Sequence, residues 1–170
     1  GVDAVKHAAE EAKKGAGFAV FFGNAQVKTA ILSLSVPEGK TLKLDVRNGD
    51  IVVEGGHESG SLTVNATFRS YDDTEAKKMA DEYVPMLEES DHYVIFKQPE
   101  GSNVTTNLVV KVPAGVPVEV RQASGDLKVS GTNAPVKADG SSGDVRLTSV
   151  TGNVFSWPCT TIDKLSPTRI

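Results

Sequence analysis

The chain has 170 residues, 39% hydrophobic and 24% charged, enough for one globular unit or two intimately packed halves with a shared core, which excludes a disordered polymer. A formal charge of -4 with no Lys/Arg cluster excludes a protein built to coat nucleic acid, and the single Cys159 excludes both an intrachain disulfide and a multi-cysteine zinc site. Aromatic content of only 6%, with abundant Val, Gly, Ser and Thr, favours short strands and Gly-containing turns over a helical bundle.

In chain order, residues 1–17 read as a short amphipathic helix or cap, with Val5, Ala9 and Ala12 on one face and a stop at Gly15 and Gly17. From Phe18 the period becomes two, through Phe18, Val20 and Phe22 and on to Ile31, Leu32 and Leu34, which predicts strand. The longest apolar run, Gly17 to Phe22, is too short to span a bilayer. No leader precedes it in this sequence, which leaves open an exported precursor whose leader lies upstream of Gly1. Pro37 and Gly39 punctuate, Leu42 and Leu44 alternate, Asn48-Gly49-Asp50 turns, and Ile51 to Val53 forms a strand before Gly55-Gly56. Leu62, Val64, Ala66 and Phe68 predict a longer strand.

A helix follows, N-capped by Asp72 or Asp73, with Ala76, Met79, Ala80, Tyr83 and Leu87 at helical spacing and Pro85 expected to kink or divide it. Strands return at Tyr93 to Phe96 and Leu108 to Val112. The stretch from about 65 to 103 therefore reads as a helical insertion between two β units.

Those two units repeat each other. Val36-Pro37-Glu38-Gly39, Leu42, Leu44, Gly49-Asp50, Ile51, Val53 and Gly55 return 76 positions later as Val112-Pro113-Ala114-Gly115, Val118, Val120, Gly125-Asp126, Leu127, Val129 and Gly131. Ser124-Gly125-Asp126-Leu127 returns after 18 more as Ser142-Gly143-Asp144-Val145, and Val118, Leu127, Val136, Val145 and Val154 stand nine apart. A nine-residue beat is a short strand plus a turn, and eighteen residues make a coil of two strands stacked on its neighbour. The fold expected is thus mainly β, with 18–154 a β-solenoid-like stack of short strands with Gly-Asp turns and the inserted helix, preceded by the N-terminal helix at 1–17. The alternative is an antiparallel β-sandwich, which shares the turn frequency. Residues 155–170 abandon the beat and read as an irregular tail or cap.

The pattern Val-Pro-x-Gly-x-x-apolar-x-apolar, then Asn-Gly-Asp-Ile-x-Val-x-Gly, then Ser-Gly-Asp-apolar-x-apolar, over roughly 32–154, resembles the bacterial putative-adhesin family of cell-envelope proteins. The resemblance implies a β-solenoid-like domain, export or envelope association, and an adhesive or scaffolding role. It carries no catalytic residues to this chain.

The search for chemistry yields little. Gly49, Asp50, Gly125, Asp126, Gly143 and Asp144 read as structural turns; a calcium column through the three Asp residues is disfavoured, because one carboxylate per coil supplies too few oxygens. His7, His57 and His92 lack metal-ligand spacing, and Cys159 has no activating base in sequence reach. Glu119, Asp126, Asp139 and Asp144 are the acids on the regular coils and the candidates for a carbohydrate-active enzyme with paired carboxylates. The acidic flanks of the helix read as a solvated face. The expectation is a non-enzymatic, adhesin-like or scaffolding module with no cofactor and no metal, recognising a surface partner, protein or glycan, and not nucleic acid. A self-assembling structural or regulatory protein, forming homo-oligomers through open β-edges, is the alternative.

Overall fold

The computed structural model describes residues 25–101, 103–140, 143–157 and 161–162, so the expected N-terminal helix, the strand at Phe18 to Phe22, His7 and Cys159 lie outside the described residues. The strands are β1 (Ala25–Leu34), β2 (Thr41–Asn48), β3 (Ile51–Glu54), β4 (Gly60–Arg69), β5 (Leu87–Glu89), β6 (Tyr93–Lys97), β7 (Val104–Lys111), β8 (Val118–Ser124), β9 (Leu127–Ser130), β10 (Val136–Gly140), β11 (Val145–Thr148), β12 (Val154–Trp157) and β13 (Thr161–Ile162), with helix α1 (Asp73–Glu82) between β4 and β5. They form two open, mixed sheets, a seven-stranded one in the order β1-β4-β7-β3-β9-β11-β13 and a six-stranded one in the order β12-β10-β8-β2-β6-β5.

From β8 onward, consecutive strands alternate between the sheets, and each pairs in parallel with the strand two places on. Val118 faces Val136 and Val136 faces Val154 in one sheet, while Leu127 faces Val145 in the other. Parallel neighbours need a long return path, and here the strand in the opposite sheet supplies it. The 76-residue repeat has the same meaning in space: Leu42 lies beside Val118 and Ile51 beside Leu127. The segments between Val118 and Val154 therefore do not run as antiparallel hairpins.

Alternation of side chains on each strand sends one set inward. Leu42, Leu44 and Val46 of β2 meet Ile51 and Val53 of β3, and Val118, Val120, Leu127, Val129, Val136, Ala138, Val145 and Leu147 extend the same core cluster between the sheets. These side chains are nearly inaccessible, and full burial of one Leu or Val is worth about 1.5–3 kcal/mol.

The pairing reaches beyond the repeated units. The stretch expected as an insertion contains β6, which pairs in parallel with β2 through Leu42 opposite Val94, and β7 pairs in parallel with β3 through Ile51 opposite Leu108. Part of that stretch is therefore built into the ladders. Beyond Val154 the ladder also continues, since Lys137 pairs with Phe155, Asp139 with Trp157 and Arg146 with Thr161. Apolar alternation fails there, but backbone pairing does not require it.

The antiparallel part lies at one end of the stack. β4 runs antiparallel between β1 and β7, and β5 antiparallel to β6. β4 and β7 outreach the four-residue β3, leaving Ala66, Phe68 and Val104 beyond the main core. Helix α1 packs on β1 and β4 and covers them with Ala80, Met79 and Tyr83. Asp72 caps the helix by accepting from the Thr74 amide at 2.9 Å. The helix stops at Glu82, so Pro85 kinks nothing and Leu87 belongs to β5. The residue before a proline disfavours helical backbone, and with Pro85 present the chain leaves the helix at the extended Tyr83.

Tyr83 meets Phe68 edge-on, with ring centroids 5.7 Å apart. Its hydroxyl is buried with no hydrogen-bond partner, and desolvation pushes its pKa from 10.0 up to about 12. Below pH 10 the folded and unfolded phenols are both protonated. Between pH 10 and about 12 the unfolded chain releases a proton that the folded chain keeps, so this contribution to stability falls as pH rises. Tyr83→Phe should match or exceed the wild type by up to about 1 kcal/mol at pH 8 and lose less stability from pH 10 to 12. Urea denaturation across that range checks it; identical slopes for the two chains would refute it.

Candidate functional site at the Gly-Asp corners

Each time the chain passes from the six-stranded to the seven-stranded sheet in the repeated units, it turns at a Gly-Asp pair. Gly49, Gly125 and Gly143 have φ of 140°, 117° and 101°, backbone that side chains strongly disfavour. They also stack without space for a Cβ, which at Gly125 would lie 2.0 Å from the Gly49 carbonyl oxygen and at Gly143 1.9 Å from that of Gly125. At Gly49 it would lie 1.8 Å from the carbonyl oxygen of Thr106. Each glycine thus lets one corner sit directly on the preceding one.

The aspartates knit the same stack. Asp50 Oδ1 accepts from the Asp126 amide at 2.9 Å, and the Asp126 carbonyl accepts in return from the Ile51 amide at 2.9 Å. The pattern recurs where Asp126 Oδ1 accepts from the Asp144 amide at 3.0 Å while the Leu127 amide donates to the Asp144 carbonyl. It recurs again with asparagine, since Asn107 Oδ1 accepts from the Asp50 amide at 2.8 Å and Leu108 donates to the Asp50 carbonyl. A side-chain oxygen at this position satisfies an amide that the turn removes from the strand ladder.

Sequence reasoning missed Asn107. The available signal was the match of Asn107-Leu108-Val109-Val110 to Asp50-Ile51-Val52-Val53, concealed by a spacing of 57 that fits neither repeat. Gln122 was missed as well. It is buried, and its Nε2 donates to the Gly49 carbonyl at 2.6 Å and the Asp126 carbonyl at 3.2 Å, holding two successive corners from inside. Ser124 Oγ donates to Asn48 Oδ1 at 2.6 Å just before the turn.

The remaining candidate acids are dispersed. Glu119 stands on the outer face of the six-stranded sheet between Lys43 and Lys137, with an N–O distance of 3.6 Å to each, and the Lys43 ammonium lies 5.4 Å from the Tyr93 ring centre. In the next row Asp139 pairs in register with Arg121, and Arg121 with Asp45. These contacts organise Glu119 as the centre of a charge ladder. His57 Nε2 lies 3.6 Å from Glu54 Oε1, and His92 lends its carbonyl to the Thr41 amide. Among the described residues no three His, Cys, Asp or Glu side chains come together as a metal site, and no helix is long and apolar enough to cross a membrane.

Beside the first corner, the overhanging ends of β4 and β7 form a polar concavity of about 510 Å³. Asn48, Asp50, Ser124 and Gly125 line it from the corners, and Arg69, Asn103, Thr105 and Asn107 from the overhang. Arg69 Nη1 donates to Thr105 Oγ1 at 3.1 Å, which fixes the guanidinium along one wall.

No protein-family model and no curated protein matches the sequence. Solved structures similar to it include a putative cell adhesion protein from Clostridium sporogenes ATCC 15579, 14% identical, covering 76% of this chain and 73% of that one at TM-score 0.39. A putative adhesin from Parabacteroides distasonis ATCC 8503 is 11% identical over 84% of this chain and 78% of its own, with TM-score 0.34. Another from Parabacteroides merdae ATCC 43184 is 9% identical over 84% and 77%, with TM-score 0.35. At these values the likeness transfers no residue and no activity.

Gly125→Ala combines disfavoured backbone with a collision against the Gly49 carbonyl, and should cost about 3 kcal/mol or more in equilibrium unfolding. A loss below about 1 kcal/mol would show that the corners are free to separate. Asp126→Ala should cost about 0.5–1.5 kcal/mol, whereas Asp126→Asn, which keeps the acceptor oxygen, should stay within about 0.5 kcal/mol of wild type. Equal losses in a pair of denaturation curves would assign the effect to charge and remove the acceptor explanation.

Proposed function

We propose that this chain is a non-enzymatic, adhesin-like module of the cell envelope, built as a β-solenoid-like stack that presents regular polar faces to a surface partner, protein or glycan, and holds neighbouring segments at a fixed distance. The observation that carries this reading is the parallel register from β2 through β8 and β10 to β12, which places like residue beside like in successive coils. Such stacking yields rows at the inter-strand spacing of about 4.8 Å, a rigid surface whose side chains lose little freedom on binding. The rows Lys43-Glu119-Lys137 and Asp45-Arg121-Asp139 alternate in sign, so a face of this kind selects partners by charge pattern and not by a single anchor. The Gly-Asp residues that would be natural suspects for catalysis are occupied with backbone pairing, which supports a structural role for them.

A second reading, self-assembly through strand edges, draws on the position of the ten-residue β1 at the end of its sheet order. Native mass measurement separates it from the first: a concentration-dependent, salt-insensitive oligomer favours edge pairing.

The principal test is a binding screen of the immobilised chain against extracellular-matrix proteins and a glycan panel, together with surface-protease accessibility in the cells that make it. Retention of at least one surface partner, without turnover of polysaccharides, is the expected result. Hydrolysis of any polysaccharide that disappears in Asp144→Ala would replace the adhesive reading with an enzymatic one.

A further inference from the structure

We infer that the concavity beside the first Gly-Asp corner is a binding subsite for an uncharged, hydroxyl-rich sugar unit. The inference rests on the adhesive reading above and specifies which part of the surface recognises a glycan.

The volume of about 510 Å³ suits a small saccharide, and its walls present more polar than apolar surface. The donors are already oriented. Asn107 Oδ1 is engaged by the Asp50 amide and Asn48 Oδ1 by Ser124, so each amide has its Nδ2 as the end remaining for a ligand oxygen. Arg69 spends one N–H on Thr105 and is held by it, with further guanidinium donors to offer. Asp50 gives Oδ1 to the Asp126 amide, which leaves Oδ2 as an acceptor for a hydroxyl. Groups fixed by the fold in this way bind with a small ordering cost.

Charge decides among hydrophilic ligands. Asp126 stacks on Asp50 and Asp144 on Asp126, a column of carboxylates that repels a phosphate or an acidic sugar approaching the corner. Arg69, which lines the same concavity, disfavours a cation there. A neutral polyol satisfies both, donating to Asp50 and accepting from Arg69 and the two amides.

The test uses the whole chain labelled with nitrogen-15 and titrated with lactose, maltose, mannobiose and chitobiose, with glucuronate and glucose 6-phosphate as charged comparisons. At least one neutral disaccharide should bind in the millimolar range, with amide shifts centred on Asp50, Asn107 and Gly125. Arg69→Ala should weaken that binding about tenfold or more, the loss expected for a charge-assisted hydrogen bond. Asn103→Ala, an exposed change outside the strands, should weaken it without altering the melting transition, so the test survives if Arg69→Ala unfolds. Glu38→Ala, exposed in the turn at the far end of β2 from Asn48, should leave it unchanged. Absence of shifts with every neutral sugar, preference for the charged ones, or wild-type affinity in both Arg69→Ala and Asn103→Ala would overturn the inference. If surface adhesion persists at full strength while no sugar binds, the subsite fails and the adhesive role stands. If sugars bind at the corner while the chain holds no surface partner, the subsite stands and the adhesive role fails.

Discussion

The structure depends on contact between successive Gly-Asp corners. Wherever a backbone carbonyl lies within about 2 Å of the place a Cβ would occupy, only glycine allows the next corner to approach to sheet spacing. The aspartate beside it then returns a side-chain oxygen to the amide above, so that the turn, ordinarily where a strand ladder ends, continues the pairing. Once the corners are held at that distance, the strands on either side must run parallel and in register, and their inward residues must form columns. The packing of Ile51 near Leu127 and of Leu127 near Val145 is a consequence of the corners as much as of apolar burial.

The same constraint explains where the pattern stops. Thr106 and Asn107 stand in β7 where the stacked corners have Gly-Asp. Thr106 heads the column: the corner at Gly49 rests on its carbonyl, while β7's other neighbour is the antiparallel β4, which brings no Gly-Asp corner against it. A side chain is tolerated there, and only the side-chain oxygen of Asn107 is retained. Beyond this point the antiparallel strands outgrow the parallel ladder, and α1 covers the excess apolar surface at Phe68 and Val104. The overhang that calls for the helix is also what creates the polar concavity beside the first corner.

Legibility in the sequence follows from which of these devices demand particular residues. The glycines, the aspartates and the nine-residue apolar beat are each enforced by close approach or burial, and they predicted the turns and strands from Val118 to Val154 directly. β6 was visible as a strand but not as a partner of β2, because Tyr93 to Lys97 carries no corner motif of its own. Asn107 escaped notice because asparagine supplies the same acceptor as aspartate without the glycine that marks it. Trp157 and Thr161 lie in the strand ladders, and the side-chain period on which sequence reading relies gives no account of them. The concavity had no linear signature, since Asn48, Arg69, Asn103 and Ser124 converge from four separate segments.

Two regions of the stack differ in their capacity for change. At the α1 end, antiparallel strands and a helix terminate the pattern in a way that cannot be copied without disrupting it. Between β9 and β10, by contrast, a tandem duplication of eighteen residues, the offset that relates Val118 to Val136, would meet an identical corner above and below. Its apolar residues would fall into the existing columns. Such a duplication would lengthen the parallel ladders by one inter-strand step of about 4.8 Å, altering the reach of the molecule while the overhang and its polar recess remain as they are.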